Sequence, residues 1–270
     1  MKFIEESVAG SVTLAVPPLE LTKLQALFKK VSFVIRFSDL TASDKRFAFE
    51  SVLLECEKSF MRVIGTDRRI IAIAKMGQGC PCKGRFIIPK PIVREIKRIK
   101  AAAGTPVTIG FQGKTIHFFI GGKINRTIEV PEHSGPPFLP YENFMGQKIN
   151  TTVTADPKEL RAMLNSIKDN SPWVEVVMAL NRSTYVMRPF RIYSSNNNKK
   201  KWKEEYFPKA EWQGQDMKTK VNVDTLRGAL KQVKGPVTLC FTTEIGPVYV
   251  KNADETFVAA LKPYSPAEKR

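Results

Sequence analysis

The side chains best suited to covalent or metal chemistry are few and scattered in this chain. Four cysteines, Cys56, Cys80, Cys82 and Cys240, are joined by only two histidines, His117 and His133. Cys80-Pro81-Cys82 brings two thiols together, but the second Cys/His pair that a zinc site needs is missing from the sequence around it. Four cysteines in 270 residues make no disulfide framework, so they are expected to be reduced and incidental. His117 falls in an apolar run, 116–120, and is expected to be a satisfied strand histidine. Gly113-Lys114-Thr115 resembles the end of a phosphate loop, yet the position five before Gly113 is Thr108 and the run leading to it is strand-like. Carboxylates occur singly, which leaves no two-metal constellation. The sequence therefore offers no catalytic residue, no metal and no cofactor, and a DNA-processing enzyme is the least favoured reading.

Cationic side chains, in contrast, recur at helical spacing. Lys and Arg total 43 against 26 acidic residues, a net charge of +17. Such an excess points to a polyanionic partner. Four amphipathic stretches, 19–31, 91–102, 157–168 and 223–233, each carry a basic face. The first sets Leu24, Leu27, Phe28 and Val31 against Lys23, Lys29 and Lys30; the second sets Ile92, Ile96 and Ile99 against Lys90, Arg94, Lys97 and Lys100. In the third, Leu160, Leu164 and Ile167 oppose Lys158, Arg161 and Lys168, and in the fourth, Leu226, Leu230 and Val233 oppose Arg227, Lys231 and Lys234. Spacings of three and four put each basic set on one side of its helix. Lysine and arginine also form helices well on any solvated face. Few acids accompany them here, chiefly Glu20, Glu95 and Glu159, which favours a shared anionic partner. Phosphate-directed lysines position a nucleic acid without reading its sequence.

The elements that must hold these helices repeat along the chain. Leu24-Gln25-Ala26-Leu27-Phe28 returns in type as Leu160-Arg161-Ala162-Met163-Leu164, and Pro106-Val107-Thr108-Ile109 as Pro236-Val237-Thr238-Leu239. The offsets, 136 and 130 positions, are nearly equal. The second half thus reads as a diverged copy of the first, with domains at 1–147 and 148–270. Within each half, a strand, a helix and two or three strands occur twice. Strand-like runs include 107–111, 115–120, 174–180 and 248–250. Asp156 is placed to cap the third helix, with Pro157 at its first position. Helices this sparse among so many strands indicate an α+β fold.

No apolar run approaches the length of a membrane span, and Met1-Lys2-Phe3-Ile4-Glu5-Glu6 lacks a signal peptide's apolar core. A soluble cytoplasmic protein with no membrane partner is expected. The polar stretch 194–205, with Asn196-Asn197-Asn198-Lys199-Lys200-Lys201, reads as an exposed loop or an extended hairpin.

Several segments together resemble a known family. Ser51-Val52-Leu53-Leu54-Glu55 followed by Val63-Ile64-Gly65-Thr66-Asp67-Arg68-Arg69 is similar to the pattern of bacterial DNA sliding clamps, the beta subunits of replicative DNA polymerase III. In that family a strand ending Leu-Leu-Glu precedes Ala-Thr-Asp-Gly-His-Arg-Leu. Phe86-Ile87-Ile88-Pro89-Lys90 and Phe138-Leu139-Pro140-Tyr141 resemble its Val-Ile-Val-Pro and Phe-Pro-Asp-Tyr segments. In the second half, Val221-Asn222-Val223-Asp224-Thr225-Leu226, Phe241-Thr242 and Ile245-Gly246-Pro247-Val248 resemble its last helix start and the strands that follow. The order and spacing of these segments carry the resemblance.

The resemblance implies a clamp fold of two repeated domains, each with two helices packed on antiparallel sheets, matching the family's middle and last domains. Family members usually have three domains and close as dimers, so six-domain closure here implies a homotrimer around double-stranded DNA. It also implies a processivity factor that tethers DNA polymerase, with a clamp loader as a further partner. The family's hydrophobic peptide groove maps onto Thr66, Arg68, Arg69, Ile70 and Ile71 with Leu139, Asn143 and Phe144. From the second half it draws Trp173, Asn222, Thr225, Ile245, Pro247, Val258, Ala259, Ala260 and Leu261. Arg68-Arg69 replaces the family's Gly-His, and Leu261-Lys262-Pro263-Tyr264 replaces its Met-Pro-Met-Arg-Leu ending, which points to a different peptide preference. A two-domain clamp suggests a bacterial source or a phage or mobile element, and an open, non-ring accessory module is the alternative.

Overall fold

The computed structural model describes residues 13–36, 46–67, 69–77, 83–112, 115–167, 173–180, 187–196, 199–206 and 211–263. Cys80, Cys82, Gly113, Lys114, Arg68, Lys168 and Asn197-Asn198 lie outside them.

The repeat seen in the sequence appears as two copies of one chain path. The first runs β1 (Thr13–Glu20), α1 (Leu21–Val31), β2 (Ser51–Cys56), β3 (Met61–Thr66), β4 (Ile70–Met76), β5 (Gly84–Pro89), α2 (Lys90–Arg98), β6 (Pro106–Gln112), β7 (Thr115–Ile120) and β8 (Arg126–Val130). Its strands pair in the orders β1-β6-β7-β8 and β5-β2-β3-β4. The second runs β9 (Thr151–Ala155), α3 (Pro157–Ile167), β10 (Trp173–Leu180), β11 (Met187–Asn196), β12 (Lys199–Tyr206), β13 (Glu211–Gly214), β14 (Met217–Asn222), α4 (Val223–Leu230), β15 (Val237–Phe241), β16 (Val248–Asn252) and β17 (Phe257–Leu261). Its orders are β9-β15-β16-β17, with β13 on the β9 edge, and β14-β10-β11-β12. Apart from β13, every strand of one copy has its counterpart in the other. The fold class is α+β, with antiparallel sheets and four described helices.

Contacts divide the chain into two units: the described residues of Met1–Gly65 with Ala74–Leu139, and of Thr66–Ile73 with Pro140–Arg270. In the first, α1 lies beside α2; in the second, α3 lies beside α4. Leu24, Leu27, Phe28 and Val31 are buried beneath α1, as are Leu160, Met163 and Leu164 beneath α3. Burying each such side chain contributes about 1.5–3 kcal/mol, so the apolar stripe, more than helix propensity, fixes these helices. The repeated Pro-Val-Thr segments are β6 and β15, with Val107, Ile109, Val237 and Leu239 all buried. Each is preceded by a glycine in the left-handed region, Gly104 at φ 77° and Gly235 at φ 74°, a turn open to few other residues.

Helix ends differ from those expected. β1 runs through Glu20, so α1 begins at Leu21, whose N–H donates to Thr105 O at 2.9 Å. α2 ends at Arg98 because Ile99 is extended, at ψ 118°. Its buried residues are Val93 and Ile96; Ile92 and Ile99 are only half-buried, which rotates the apolar face away from the one expected. α4 ends at Leu230, although Val233 beyond it stays buried. Asp156 caps α3 as expected, Oδ1 accepting from Lys158 N–H at 2.6 Å. The polar stretch near 196 is a hairpin, β11 pairing antiparallel with β12.

Candidate nucleic-acid interface and partner surface

In the first unit, α1 and α2 are locked by one side chain. Gln25 Nε2 donates to Ile96 O and Ile99 O, each at 2.9 Å, so a residue of α1 supplies a donor to carbonyls at the end of α2, beside the Ile99 N–H that also reaches Ile96 O at 3.3 Å. Lys23 and Lys29 are exposed on α1 and Lys30 is half-buried. On α2, Arg94 is exposed, Lys97 is half-buried, and Lys90 reaches Glu50 at 3.7 Å. Lys100 is exposed but lies past the helix end.

Two clefts flank α2. One, of about 470 Å³, is lined by Ser32, Ile35, Lys90, Val93, Arg94, Lys97 and Arg98. The other, of about 450 Å³, is lined by Pro91, Arg94, Glu95, Arg98, Ile99 and Arg126. Arg94 and Arg98, one turn apart, form the ridge between them. Glu95, the acid of this helix, is held by the Arg126 guanidinium from β8. Arg98 was missed in the sequence because the expected apolar stripe was turned by one position; reading Val93 with Ile96 as the buried pair exposes it.

The second unit presents fewer open cations. Lys158 is exposed, whereas the Arg161 Nε–H turns back to Pro157 O at 3.1 Å. Arg227, with 18% of its side chain exposed, reaches Asp224 at 3.5 Å. Lys231 is the C-cap of α4, and Lys231 and Lys234 are both exposed beyond its last turn.

The residues expected to hold a peptide take several positions. Thr66 is buried and its hydroxyl donates to Ile70 O at 3.0 Å, while Asp67 Oδ1 accepts from Arg69 N–H at 2.8 Å and Ile70 N–H at 2.9 Å. The Thr-Asp pair thus staples the turn between β3 and β4. In the second unit, Lys262 N–H donates to Arg69 O at 2.8 Å. Ile70, Ile71, Ala259, Ala260 and Leu261 are buried, Val258 and Pro247 are half-buried, and Asn143 and Arg69 are exposed. Asn222 caps α4, its Oδ1 accepting from Thr225 N–H at 3.0 Å, and Thr225 is buried against it. Leu139 is a half-buried residue of the first unit. Trp173 begins β10, opposite Asn222 of β14.

Three exposed large apolar residues stand out among the described residues: Phe144 at 44%, Ile149 at 38% and Ile245 at 79% exposure. All three belong to segments hydrogen-bonded to each other. The Tyr249 hydroxyl donates to Phe144 O at 2.9 Å and accepts from Gln147 N–H at 3.3 Å. Asn150 N–H donates to Phe241 O at 2.9 Å and its side-chain amide to Thr242 O. A Cβ at Gly246 would collide with the Thr242 and Thr243 hydroxyls, which keeps the turn carrying Ile245 tight. Burial pushes the Tyr249 phenol up, partly offset by the Gln147 N–H, so it stays a neutral strut.

Among the described residues no group of three His, Cys, Asp or Glu is gathered as metal ligands. Cys56 and Cys240 are buried, and burial raises the Cys240 thiol pKa, which makes it a poor nucleophile. No described helix is long and apolar enough to cross a membrane.

No family model matches the chain, and no curated protein is matched by its sequence. Solved structures match it along nearly its whole length. The DNA polymerase III subunit beta of Pseudomonas aeruginosa is 19% identical, with a TM-score of 0.79 over 98% of this chain and 69% of that one. The fold is that of the DNA sliding clamps. The beta subunit of Thermotoga maritima is 15% identical, with a TM-score of 0.78 over 97% of this chain and 68% of that one. A second P. aeruginosa sliding-clamp structure gives 18% identity and a TM-score of 0.80, over 97% and 70%. The clamp architecture is thus present at low sequence identity, and α1 to α4 are the helices of two clamp-type repeats.

Proposed function

We propose that this chain is a non-enzymatic DNA sliding clamp of two domains, 1–147 and 148–270, that closes as a homotrimer around double-stranded DNA. It tethers a DNA polymerase through the apolar surface around Phe144 and Ile245, with a clamp loader as a further partner and the cytoplasmic nucleoid of a bacterium, or of a cell carrying a phage or mobile element, as its setting. The observation that carries this reading is the clamp fold over 98% of the chain combined with basic side chains on all four helices. Lys23, Lys29, Lys30, Lys90, Arg94, Lys97 and Arg98 from the first unit, with Lys158 and Arg161 from the second, would meet phosphates without reading bases. The half-buried Pro247 and Val258 fit the rim of a surface that captures a short apolar peptide.

An open accessory module with the same fold is the second reading; the chain spans 69% of the beta-subunit length. Retention on DNA separates the two. A closed ring stays on circular plasmid after a high-salt wash and is lost when the plasmid is linearised; an open module leaves both equally, since salt weakens ordinary phosphate contacts regardless of topology.

A further inference from the structure

The four described helices hold ten of the 43 Lys and Arg, so most of the positive charge lies elsewhere. Part of it is gathered on β3, β4 and β5 of the first unit. In the strand register, Glu55 of β2 faces Arg62 of β3 on one side and Arg85 of β5 on the other. Its carboxylate, with 6% of the side chain exposed, takes the Arg62 guanidinium on one oxygen and the Arg85 Nε–H at 2.9 Å on the other. Beside this row, the Arg62 guanidinium sits 5.2 Å and the Lys75 ammonium 4.7 Å from the Phe60 ring centre. Lys83 lies 3.5 Å from Glu57 with 79% of its side chain exposed. Positive charge thus exceeds negative in this cluster, and the buried Glu55 holds two guanidiniums at fixed spacing.

We propose that this strand-borne cluster of Arg62, Lys75, Lys83 and Arg85 is a second binding site for the phosphate backbone of nucleic acid, separate from the helices. A guanidinium pair held by a buried carboxylate loses little freedom on meeting a phosphate, and Arg85 and Lys75 are exposed enough to reach one. Phe60 serves to seat the two cations above it, so the site meets phosphate without stacking on a base. Its charge matches a polyanion of any sequence. The inference rests on the nucleic-acid part of the function proposed above and does not depend on ring closure.

The test is fluorescence anisotropy of a short duplex and of a single strand across a sodium chloride series. It compares the wild type, a strand variant (Lys75→Gln, Lys83→Gln, Arg85→Gln), a helix variant (Lys29→Gln, Arg94→Gln, Arg98→Gln) and the single change Arg85→Lys. Removing one phosphate-binding cation lowers the salt slope by about 0.9 on duplex and about 0.7 on a single strand. The strand variant should lose about 2 to 3 from its duplex slope while circular dichroism shows it still folded, Arg62 remaining to pair Glu55, and Arg85→Lys should keep the wild-type slope. A strand variant with the wild-type slope, beside a weakened helix variant, overturns this site and leaves the clamp reading intact. A weakened strand variant beside an unaffected helix variant does the reverse. If the strand substitutions weaken binding to polyglutamate and leave DNA untouched, the partner is an acidic protein and the phosphate assignment falls.

Discussion

Glu55 shows how a single side chain sets the character of a whole sheet face. A carboxylate in the interior of a four-stranded order is costly unless it is paired on every side, and here two arginines supply the pairing. The two arginines keep 31% and 55% of their side chains exposed, so they can rehydrate if the acid is lost. The acid cannot rehydrate if they are lost. Glu55→Gln should therefore cost roughly 1–3 kcal/mol, and the pair Arg62→Met with Arg85→Met clearly more, because it strands a buried charge. Urea unfolding of both variants checks the order; equal losses would mean that Glu55 is hydrated in the folded protein. His117 is the opposite case. It is buried in β7, its Nδ1 is 3.6 Å from Glu129, and its Nε2 has no hydrogen-bond partner. The ring is stacked at 5.8 Å on Phe119 and faces Gly110 across the ladder, so an apolar ring has room. His117→Phe should leave the protein as stable or raise its stability by about 1 kcal/mol, since an unsatisfied buried polar atom costs about that much. A thermal melt shows the sign directly. The expectation of a strand histidine held for its place, but the unsatisfied nitrogen could not be read from residue type.

Elements in this chain are legible from the sequence in their middles and not at their ends. The periodicity of Leu24, Leu27, Phe28 and Val31 found α1, and that of Leu160 and Leu164 found α3, because burial of a stripe is local information. The end of α2 is not local: it depends on Gln25, which lies 71 and 74 positions from the carbonyls it binds. The half-buried Ile92 shows the same limit, since in an isoleucine-rich helix only packing decides which stripe goes inside. Gln25→Ala should therefore fray the last turn of α2 and cost about 1–2 kcal/mol for the two hydrogen bonds it removes. It should also weaken DNA binding at low salt, because Arg98 sits on that turn and Arg94 one turn before it. Hydrogen exchange at the α2 amides, set against α3 as an internal control, separates local fraying from global loss. The N-cap of α4 is the counterpart in the second unit. Asn222→Ala should cost about 1 kcal/mol and Asn222→Gly only a few tenths, as a capping role requires. A residue of the expected peptide surface would thereby be shown to hold the helix start as well.

For the molecule as a whole, the doubled path of strands and helices is what the near-equal sequence offsets had announced, and β13 is the one addition that a shared repeat does not explain. The partner surface was less legible. Local motifs such as Thr66-Asp67 and Asn222-Thr225 are occupied in turn and cap hydrogen bonds, whereas the exposure of Phe144 and Ile245 follows from hydrogen bonds between segments about a hundred residues apart. Assembly is the remaining question at this scale, and it has a definite arithmetic. Among the described residues, β8 in one sheet order and β12 in another are outer strands with no neighbour on one side, which leaves backbone donors and acceptors at those edges for a further strand. Heterologous contacts between two different edges close into a ring when the rotation per copy divides a full turn, and two repeats per chain make that number three for a six-repeat ring. Light scattering over a dilution series should then give three times the 30.4 kDa chain mass. Dissociation on dilution should pass from trimer to monomer without a stable dimer, since an incomplete ring lacks one of its three interfaces. A mass of one chain at every concentration would rule out self-closure and leave the open module. Twice the chain mass would require a different edge pairing from the one argued here.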